Sequence, residues 1–256
     1  MFQPYHELLI LVALQFFRWK NIEVTNSNYT ATTDNLAKLQ KHITNEDLID
    51  YYMEAVVNFE GEPFSVEDLG ASYDFAPELF YNHFEGFDHL NKVIFKIFID
   101  NAIDVLNQSV DFEGFTKKDK LLSLYYTLFE NLTLNQEFVR LTIKSYGLNL
   151  NALPLLSELK TSFISFIDSL QIETMRLSDT LESIQKKSLR EGLWIQFLLT
   201  LKFWLSDDSP NCEKTDIFIE KSINTGLELI NTKSLYNIID LGKFLYTEKI
   251  KSNVQV

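Results

Sequence analysis

The segment Phe64–Leu90 carries three helix-start signals close together, and their spacing limits what the chain can fold into. Ser65 is followed three residues later by Asp68, which is a capping pair that begins a short helix. Pro77 restarts the chain as a helix, because proline at the first helical position loses no hydrogen bond. A third and longer helix opens near the end of the segment. We therefore predict two short helices joined by a tight turn at residues 73–75 and followed by a long helix, which is a helix-turn-helix arrangement.

Helical periodicity continues along the chain, and no persistent strand-like alternation interrupts it. Thr44 caps a predicted first helix that reaches Asn58, and the long helix extends from Asp88 to about Asn107. Later helices are predicted to begin at or near Thr116, Asn135 and Leu153, and to cover Leu189–Leu205, Glu213–Ile230 and Lys233–Glu248. The predicted fold class is all-α.

The segment Leu189–Leu205 is apolar on nearly every side of the predicted helix. A surface helix shows a polar face, so we expect this one to be buried all round. It holds Arg190, Glu191 and Lys202 and is shorter than the roughly 20 residues that cross a bilayer. The sequence therefore predicts no membrane span.

The net charge of −13 is concentrated in one segment. Residues 1–41 carry four basic and three acidic side chains, and residues 92–256 carry nineteen basic and twenty-one acidic. Residues 42–91 carry twelve acidic side chains and no Lys or Arg. Proteins bind duplex DNA mainly through Lys and Arg side chains that neutralise phosphates. The charge therefore predicts weak or absent non-specific DNA binding through residues 42–91.

The chain shows no pattern typical of an enzyme. Its single cysteine, Cys212, excludes an internal disulfide and fits a reducing compartment, so we expect a cytoplasmic protein. Its acidic pair Asp207-Asp208 is interpreted as a solvated helix end. With no nucleophile motif, phosphate-binding glycine loop or metal-ligand spacing, we expect a non-enzyme without a cofactor or metal.

Residues 1–43 are interpreted as an N-terminal extension and linker outside the folded body. Their apolar run Leu8–Phe17 has three interpretations: a helix docked on the body, an interfacial membrane segment, or a tail outside the domain. The tail and the docked helix are favoured over a membrane role. A secretory signal is not indicated, because Arg18 and Lys20 follow the run rather than precede it.

Four short motifs follow one another in the acidic segment: Val66-x-x-Leu69-Gly70, Phe75-Ala76, Phe80-Tyr81-x-His83-Phe84 and Gly86-Phe87-Asp88-x-Leu90. Together they resemble the DNA-binding signature of the TetR family of transcription regulators. The turn differs from the usual Ala-Gly of the family, and Phe87 stands where lysine is frequent. The stretch Arg190–Leu245, which includes REGLWIQFLL and IIDLGKFLY, is similar to a TetR-type C-terminal domain.

This resemblance implies a helix-turn-helix domain at residues 44–91 and a ligand-binding and dimerisation domain at residues 92–256. It implies a homodimer that binds operator DNA through Ala76, Glu78, Leu79, Tyr81, Asn82 and His83. A ligand cavity is implied for the aromatic side chains Tyr125, Tyr126, Phe129, Phe163, Phe166, Trp194 and Phe197, although core packing also explains any single one of them. The dimer interface is implied for the apolar side chains Leu193, Phe197, Leu201, Trp204, Ile223, Leu227 and Ile230.

Two functional hypotheses follow. The first is a TetR-like regulator that releases its operator when an apolar, uncharged molecule binds. The second is a TetR-like scaffold that has lost DNA binding and instead binds a lipid, or a basic protein on its acidic face.

Overall fold

The computed structural model describes residues 43–62, 64–146, 154–172 and 179–230, and within these ranges its regular structure is helical. The all-α prediction is thereby confirmed. In chain order the helices are α1 Asn45–Asn58, α2 Val66–Tyr73, α3 Pro77–Tyr81, α4 Phe87–Gln108, α5 Lys117–Leu134, α6 Gln136–Tyr146, α7 Ser157–Ser169, α8 Asp179–Leu205 and α9 Glu213–Ile230, with 3₁₀ turns at Phe112–Gly114 and Pro210–Cys212.

The caps of α1 and α2 confirm the predicted helix starts. The Thr44 hydroxyl accepts from the Asp47 backbone N–H at 3.2 Å, and the Asp47 carboxylate accepts from the Thr44 N–H at 2.8 Å. Ser65 and Asp68 form the same reciprocal pair at 3.1 and 2.9 Å. The Ser65 backbone N–H and hydroxyl lower the pKa of Asp68. Both helices therefore begin where local hydrogen bonding dictates.

The turn between α2 and α3 depends on a close backbone approach at Gly70. Asp74 ends α2 in the left-handed region with φ 56°, and the Phe75 N–H donates to the Gly70 carbonyl at 3.0 Å. A Cβ placed on Gly70 would lie 2.6 Å from the Phe75 carbonyl oxygen. Pro77 then occupies the start of α3, as predicted. The predicted helix-turn-helix is therefore present.

The described residues divide into two compact units. The first unit comprises the described residues up to Phe112 and those within Tyr126–Phe163. In this first unit α6 packs on α1, and the rings of Tyr52 and Phe138 meet edge to face at 6.1 Å. Leu48, Leu69 and Phe80 are completely buried in its core. Helix α6 thus packs with the helix-turn-helix helices in one compact unit. The domain boundary at residue 91 stays a prediction.

The second unit comprises Glu113–Tyr125 and the described residues from Ile164 onward. Its helices α8 and α9 pack against each other, with Trp204 completely buried. Helix α8 is longer than predicted and begins at Asp179. The prediction that it is buried all round is wrong for the protomer, because Ile195 and Leu199 are more than half exposed.

Two other differences concern helix ends. Helix α7 begins at Ser157, because residues 154–156 form a turn after the predicted start near Leu153. Helix α4 begins at Phe87, one residue before the prediction. The predicted helix Lys233–Glu248 and the extension before residue 43 lie outside the described residues. No helix in the described part of the chain is long and apolar enough to cross a membrane.

Candidate nucleic-acid interface and dimer face

Helix α3 presents the predicted DNA-contact residues at the surface. Phe80 anchors the helix with a completely buried ring, and Leu79 is half-buried beside it. The remaining predicted contacts are all exposed: Ala76, Glu78, Tyr81, Asn82 and His83. The geometry thus leaves these side chains accessible to a partner, and their role in DNA contact stays a prediction.

The described residues of the segment 43–91 include acidic side chains but no Lys or Arg. Of its acidic side chains only Asp47 is half-buried, and the others are exposed: Glu46, Asp50, Glu54, Glu60, Glu62, Glu67, Asp68, Asp74, Glu78, Glu85 and Asp88. The first basic residue after this region, Lys92, is half-buried on α4, and Lys38 and Lys41 lie outside the described residues. Exposed carboxylates repel phosphates, so the charge of residues 43–91 opposes an approaching duplex.

The predicted ligand residues are nearly all buried core side chains. Tyr125, Phe129, Phe163, Phe166, Trp194 and Phe197 are buried, and Tyr126 is half-buried. In the second unit the Trp194 ring stacks on Phe197 at 5.2 Å, and Phe197 meets Tyr125 edge on at 6.1 Å. These residues line neither the groove on α8 and α9 nor the cavity beside α1. Their role as a ligand cavity therefore stays a prediction.

A polar chain that the sequence analysis did not single out runs through this aromatic core. The Tyr125 hydroxyl donates to Gln196 Oε1, and Gln196 Nε2 donates to Thr200 Oγ1 at 3.0 Å and to Ser222 Oγ at 2.8 Å. Burial raises the pKa of Tyr125 well above its ordinary value. The sequence signal for this hydrogen-bonded chain is the pair Gln196 and Thr200, two polar residues four positions apart in an apolar helix. These hydrogen-bonded side chains place neutral polar groups in an otherwise apolar interior.

The predicted dimer residues mostly face the inside of the protomer. Leu193, Phe197, Leu201, Trp204 and Ile223 are buried within the chain, Leu227 is half-buried, and the side chain of Ile230 lies outside the described residues. The prediction that they form the interface is not tested by this burial in a single chain.

Among the described side chains of the same two helices, the exposed large apolar ones are Ile195, Leu199 and Ile217, which are 55%, 54% and 51% exposed. Ile195 and Leu199 follow Leu193 and Phe197 by two residues, which rotates them to the other side of a helix. A groove of about 610 Å³ lies on α8 and α9, where Phe203 and Phe218 stack at 4.8 Å. The exposed apolar side chains of α8 and α9 are thus different residues from those predicted to form the dimer interface.

Asp207 caps the segment that leads into α9, and its interpretation as a solvated helix end is wrong. The side chain is buried, and it accepts hydrogen bonds from the backbone N–H groups of Ser209 at 2.9 Å and Thr215 at 2.8 Å. The hydroxyls of both residues donate to it as well, at 2.6 and 2.7 Å. Burial raises the pKa of Asp207, but these donors outweigh burial and lower it to about 2. Asp208, its neighbour, is exposed.

Comparison with known proteins identifies the C-terminal part of the chain. The family model described as Tetracyclin repressor-like, C-terminal domain, matches residues 120–245, a range that includes α6 to α9 and most of α5. No curated protein and no solved structure matches the chain. The match agrees with the resemblance drawn from the motifs in Arg190–Leu245.

Proposed function

Since this chain belongs to the TetR family, as the match over its C-terminal domain shows, we propose that it is a homodimeric, ligand-responsive regulator with little affinity for non-specific duplex DNA. The family gives the class of protein, a TetR-like regulator. The weak DNA binding, the dimer face and the ligand are inferred from the charges and the packing of the described residues.

The observation that carries the proposal is the charge around α3. Affinity for duplex DNA falls with salt in proportion to the number of phosphates that the protein neutralises. Residues 43–91 supply no Lys or Arg for this purpose, and Glu78 sits exposed on the helix that would enter the major groove. Backbone N–H groups can still contact phosphates, but they do not cancel eleven exposed carboxylates.

Fluorescence anisotropy with labelled duplexes tests the proposal, using the sequence upstream of the protein's own gene and an unrelated duplex. At low salt and micromolar protein we expect little binding to the unrelated duplex, and weak binding with a shallow salt dependence to the upstream sequence. The double variant Glu78→Lys/Asn82→Lys adds two cations on the exposed side of α3. It should gain affinity and steepen the slope of log K against log salt by about 1.8, since each phosphate contributes roughly 0.9.

The matched control is Asn107→Lys/Glu113→Lys, which makes the same charge change at exposed positions outside the helix-turn-helix. It should leave binding nearly unchanged. Tight, strongly salt-dependent binding of the wild-type protein would refute the proposal and restore the ordinary repressor function.

For the ligand, the buried aromatic side chains and the neutral Tyr125–Gln196–Thr200 chain favour an apolar, uncharged molecule. Native mass spectrometry of the purified protein should show a small apolar molecule or lipid bound to the dimer. Tryptophan emission, to which Trp194 contributes among these rings, provides a fluorescence signal for titration with the recovered compound. A ligand-free mass spectrum and no change in tryptophan emission with apolar extracts would contradict this assignment.

A second function, a scaffold that binds a basic protein, is favoured by the eleven exposed carboxylates of residues 43–91. A basic protein recovered with the wild-type chain should rebind when both are purified, and should dissociate as salt is raised. Its affinity should fall for Glu78→Lys/Asn82→Lys and stay the same for the matched control. Equal affinity for both variants would exclude α3 as the binding surface.

A further inference from the structure

A partly open cavity of about 370 Å³ is lined by residues of the first compact unit. Helix α1 lines it with Tyr52 and Val56, and the loop after α1 contributes Phe64. The first turns of α4 and the last turns of α6 complete the wall. Its volume falls in the range of pockets that bind small molecules, which begins at about 300 Å³.

Two buried side-chain oxygens in this wall have no hydrogen-bond partner among the described residues. Asn91 and Thr142 are only 4% and 3% exposed, and both line the cavity. Their atoms Asn91 Oδ1 and Thr142 Oγ1 are unpaired. A buried polar atom without a partner destabilises a protein, and such atoms are uncommon in native structures. Two of them in one cavity indicate a site shaped to be completed by a hydrogen-bonding ligand.

The orientation of the Asn91 amide is fixed by its neighbours. Tyr146 donates its hydroxyl proton to Asp88 Oδ1, so the Tyr146 oxygen is left as an acceptor. Asn91 Nδ2 donates to that oxygen at 3.4 Å. Asn91 also donates to the Tyr52 oxygen, and this hydrogen bond partly offsets the rise in the pKa of Tyr52 that burial causes. Burial raises the pKa of Tyr146 to about 12, so it stays a donor to Asp88 at neutral pH. The amide therefore presents its acceptor, Oδ1, as the atom still to be paired.

The charge of the wall selects the chemistry of the ligand. Asp88 and Glu62 are the acidic side chains that line the cavity, and the described lining residues include no Lys, Arg or His. The rings of Tyr52, Phe64 and Phe87 pack against one another at centroid distances of 4.7 to 5.9 Å and form an aromatic side. Carboxylates, an amide oxygen and aromatic faces all favour a cation that donates hydrogen bonds.

We propose that this cavity binds a small organic cation, a protonated primary amine attached to an apolar group. The ammonium bonds the Asp88 carboxylate and the unpaired oxygens of Asn91 and Thr142. The apolar group lies against the aromatic side and Leu141. The site is separate from the C-terminal aromatic interior, and the inference stands whether or not the protein binds DNA.

The test uses three probes of one shape and different charge: 2-phenylethylamine, 2-phenylethanol and phenylacetate. Binding to the full chain is measured by isothermal titration calorimetry and by the shift in Tm. We expect the amine to bind and raise Tm, the alcohol to bind roughly tenfold more weakly because it lacks the charge-assisted bond, and phenylacetate not to bind.

Matched variants locate the site. Asp88→Asn removes the charge but keeps an acceptor for Tyr146, and should weaken the amine about tenfold. Asp104→Asn, at an exposed position of the same helix outside the cavity, should leave the affinity unchanged. Thr142→Val replaces the unpaired hydroxyl with a methyl group of similar size. It should weaken amine binding and raise the Tm of the ligand-free protein, a combination that a purely structural hydroxyl would not produce.

Three results would overturn the inference. The first is equal binding, or no binding, of all three probes. The second is an equal loss of amine affinity in Asp88→Asn and Asp104→Asn. The third is a fall in the ligand-free Tm of Thr142→Val, which would mean that the hydroxyl is already paired with water and the cavity is a solvated structural feature.

Discussion

The substitution Gly70→Ala tests whether the helix-turn-helix turn requires a residue without a side chain. Gly70 lies inside α2, where glycine is normally unfavourable compared with alanine by about 0.8–1.0 kcal/mol. Its presence there is explained by the Phe75 carbonyl oxygen, which would lie 2.6 Å from a new Cβ. Glycine at this position lowers the helix propensity of α2 but allows the backbone of Phe75 to approach closely.

The expected magnitude follows from this distance. Ordinary contact with a Cβ begins at 3.4 Å, so the turn would have to move by about 0.8 Å. The opposing atom is a backbone carbonyl, and moving it also disturbs the 3.0 Å hydrogen bond between the Phe75 N–H and the Gly70 carbonyl. Overpacking of this kind costs about 1–3 kcal/mol, which the helix-propensity gain partly offsets. The net loss in unfolding free energy is expected to be about 1–2 kcal/mol.

Urea denaturation followed by circular dichroism measures this loss, and hydrogen exchange at residues 69–75 shows whether it is local. The control is Gly192→Ala on α8, where an added Cβ meets nothing within 4 Å. That variant should be more stable than the wild type by roughly 0.5–1 kcal/mol. If Gly70→Ala is as stable as Gly192→Ala, the close approach does not constrain this turn, and glycine is not required at position 70.

Two further predictions concern the second unit. Asp207→Ala should destabilise the protein by about 1–2 kcal/mol in urea denaturation at pH 6, because it removes a buried cap. The pKa of Asp207 is lowered to about 2 in the folded state, so its stabilising effect is complete above the unfolded-state pKa and is lost as the pH falls toward 2. The unfolding free energies of the wild type and of Asp207→Ala should therefore become equal as the pH approaches 2. A difference that stays constant with pH would contradict the assignment. Leu199→Glu should convert a dimer to a folded monomer in size-exclusion chromatography with light scattering, because Leu199 is 54% exposed on the apolar side of α8. Val110→Glu, at a position 93% exposed outside these helices, should remain dimeric, and a dimeric Leu199→Glu would exclude this face.

The helix starts could be predicted because their causes are local. Thr44 with Asp47, Ser65 with Asp68, and Pro77 each act within one helical turn, so the order of residues is enough to place the helix. The excess of acids in residues 42–91 was also readable, since exposed charge depends on composition more than on packing. For the same reason the conflict between motif and charge is visible in the amino-acid sequence itself.

The side of a helix that faces the core was harder to predict where the sequence is apolar all round. In the part of α8 from Leu189 to Leu205, apolar residues occur on both sides of the helix, so periodicity does not separate buried Leu193 and Phe197 from exposed Ile195 and Leu199. Asp207 was misread for a related reason. An acidic residue in a loop is usually solvated, and only the packing around Thr215 shows that this one is buried and hydrogen-bonded.

The local sequence therefore determined the starts of α1, α2 and α3, and the acidity of residues 42–91. The cavity with two unpaired oxygens was decided by the fold alone. Tyr146 reaches Asp88 and Asn91 across 58 and 55 positions of sequence, and Thr142 joins them from the same helix. No local sequence pattern predicts these contacts, because they arise only when the fold brings the end of α6, which packs on α1, to the first turns of α4.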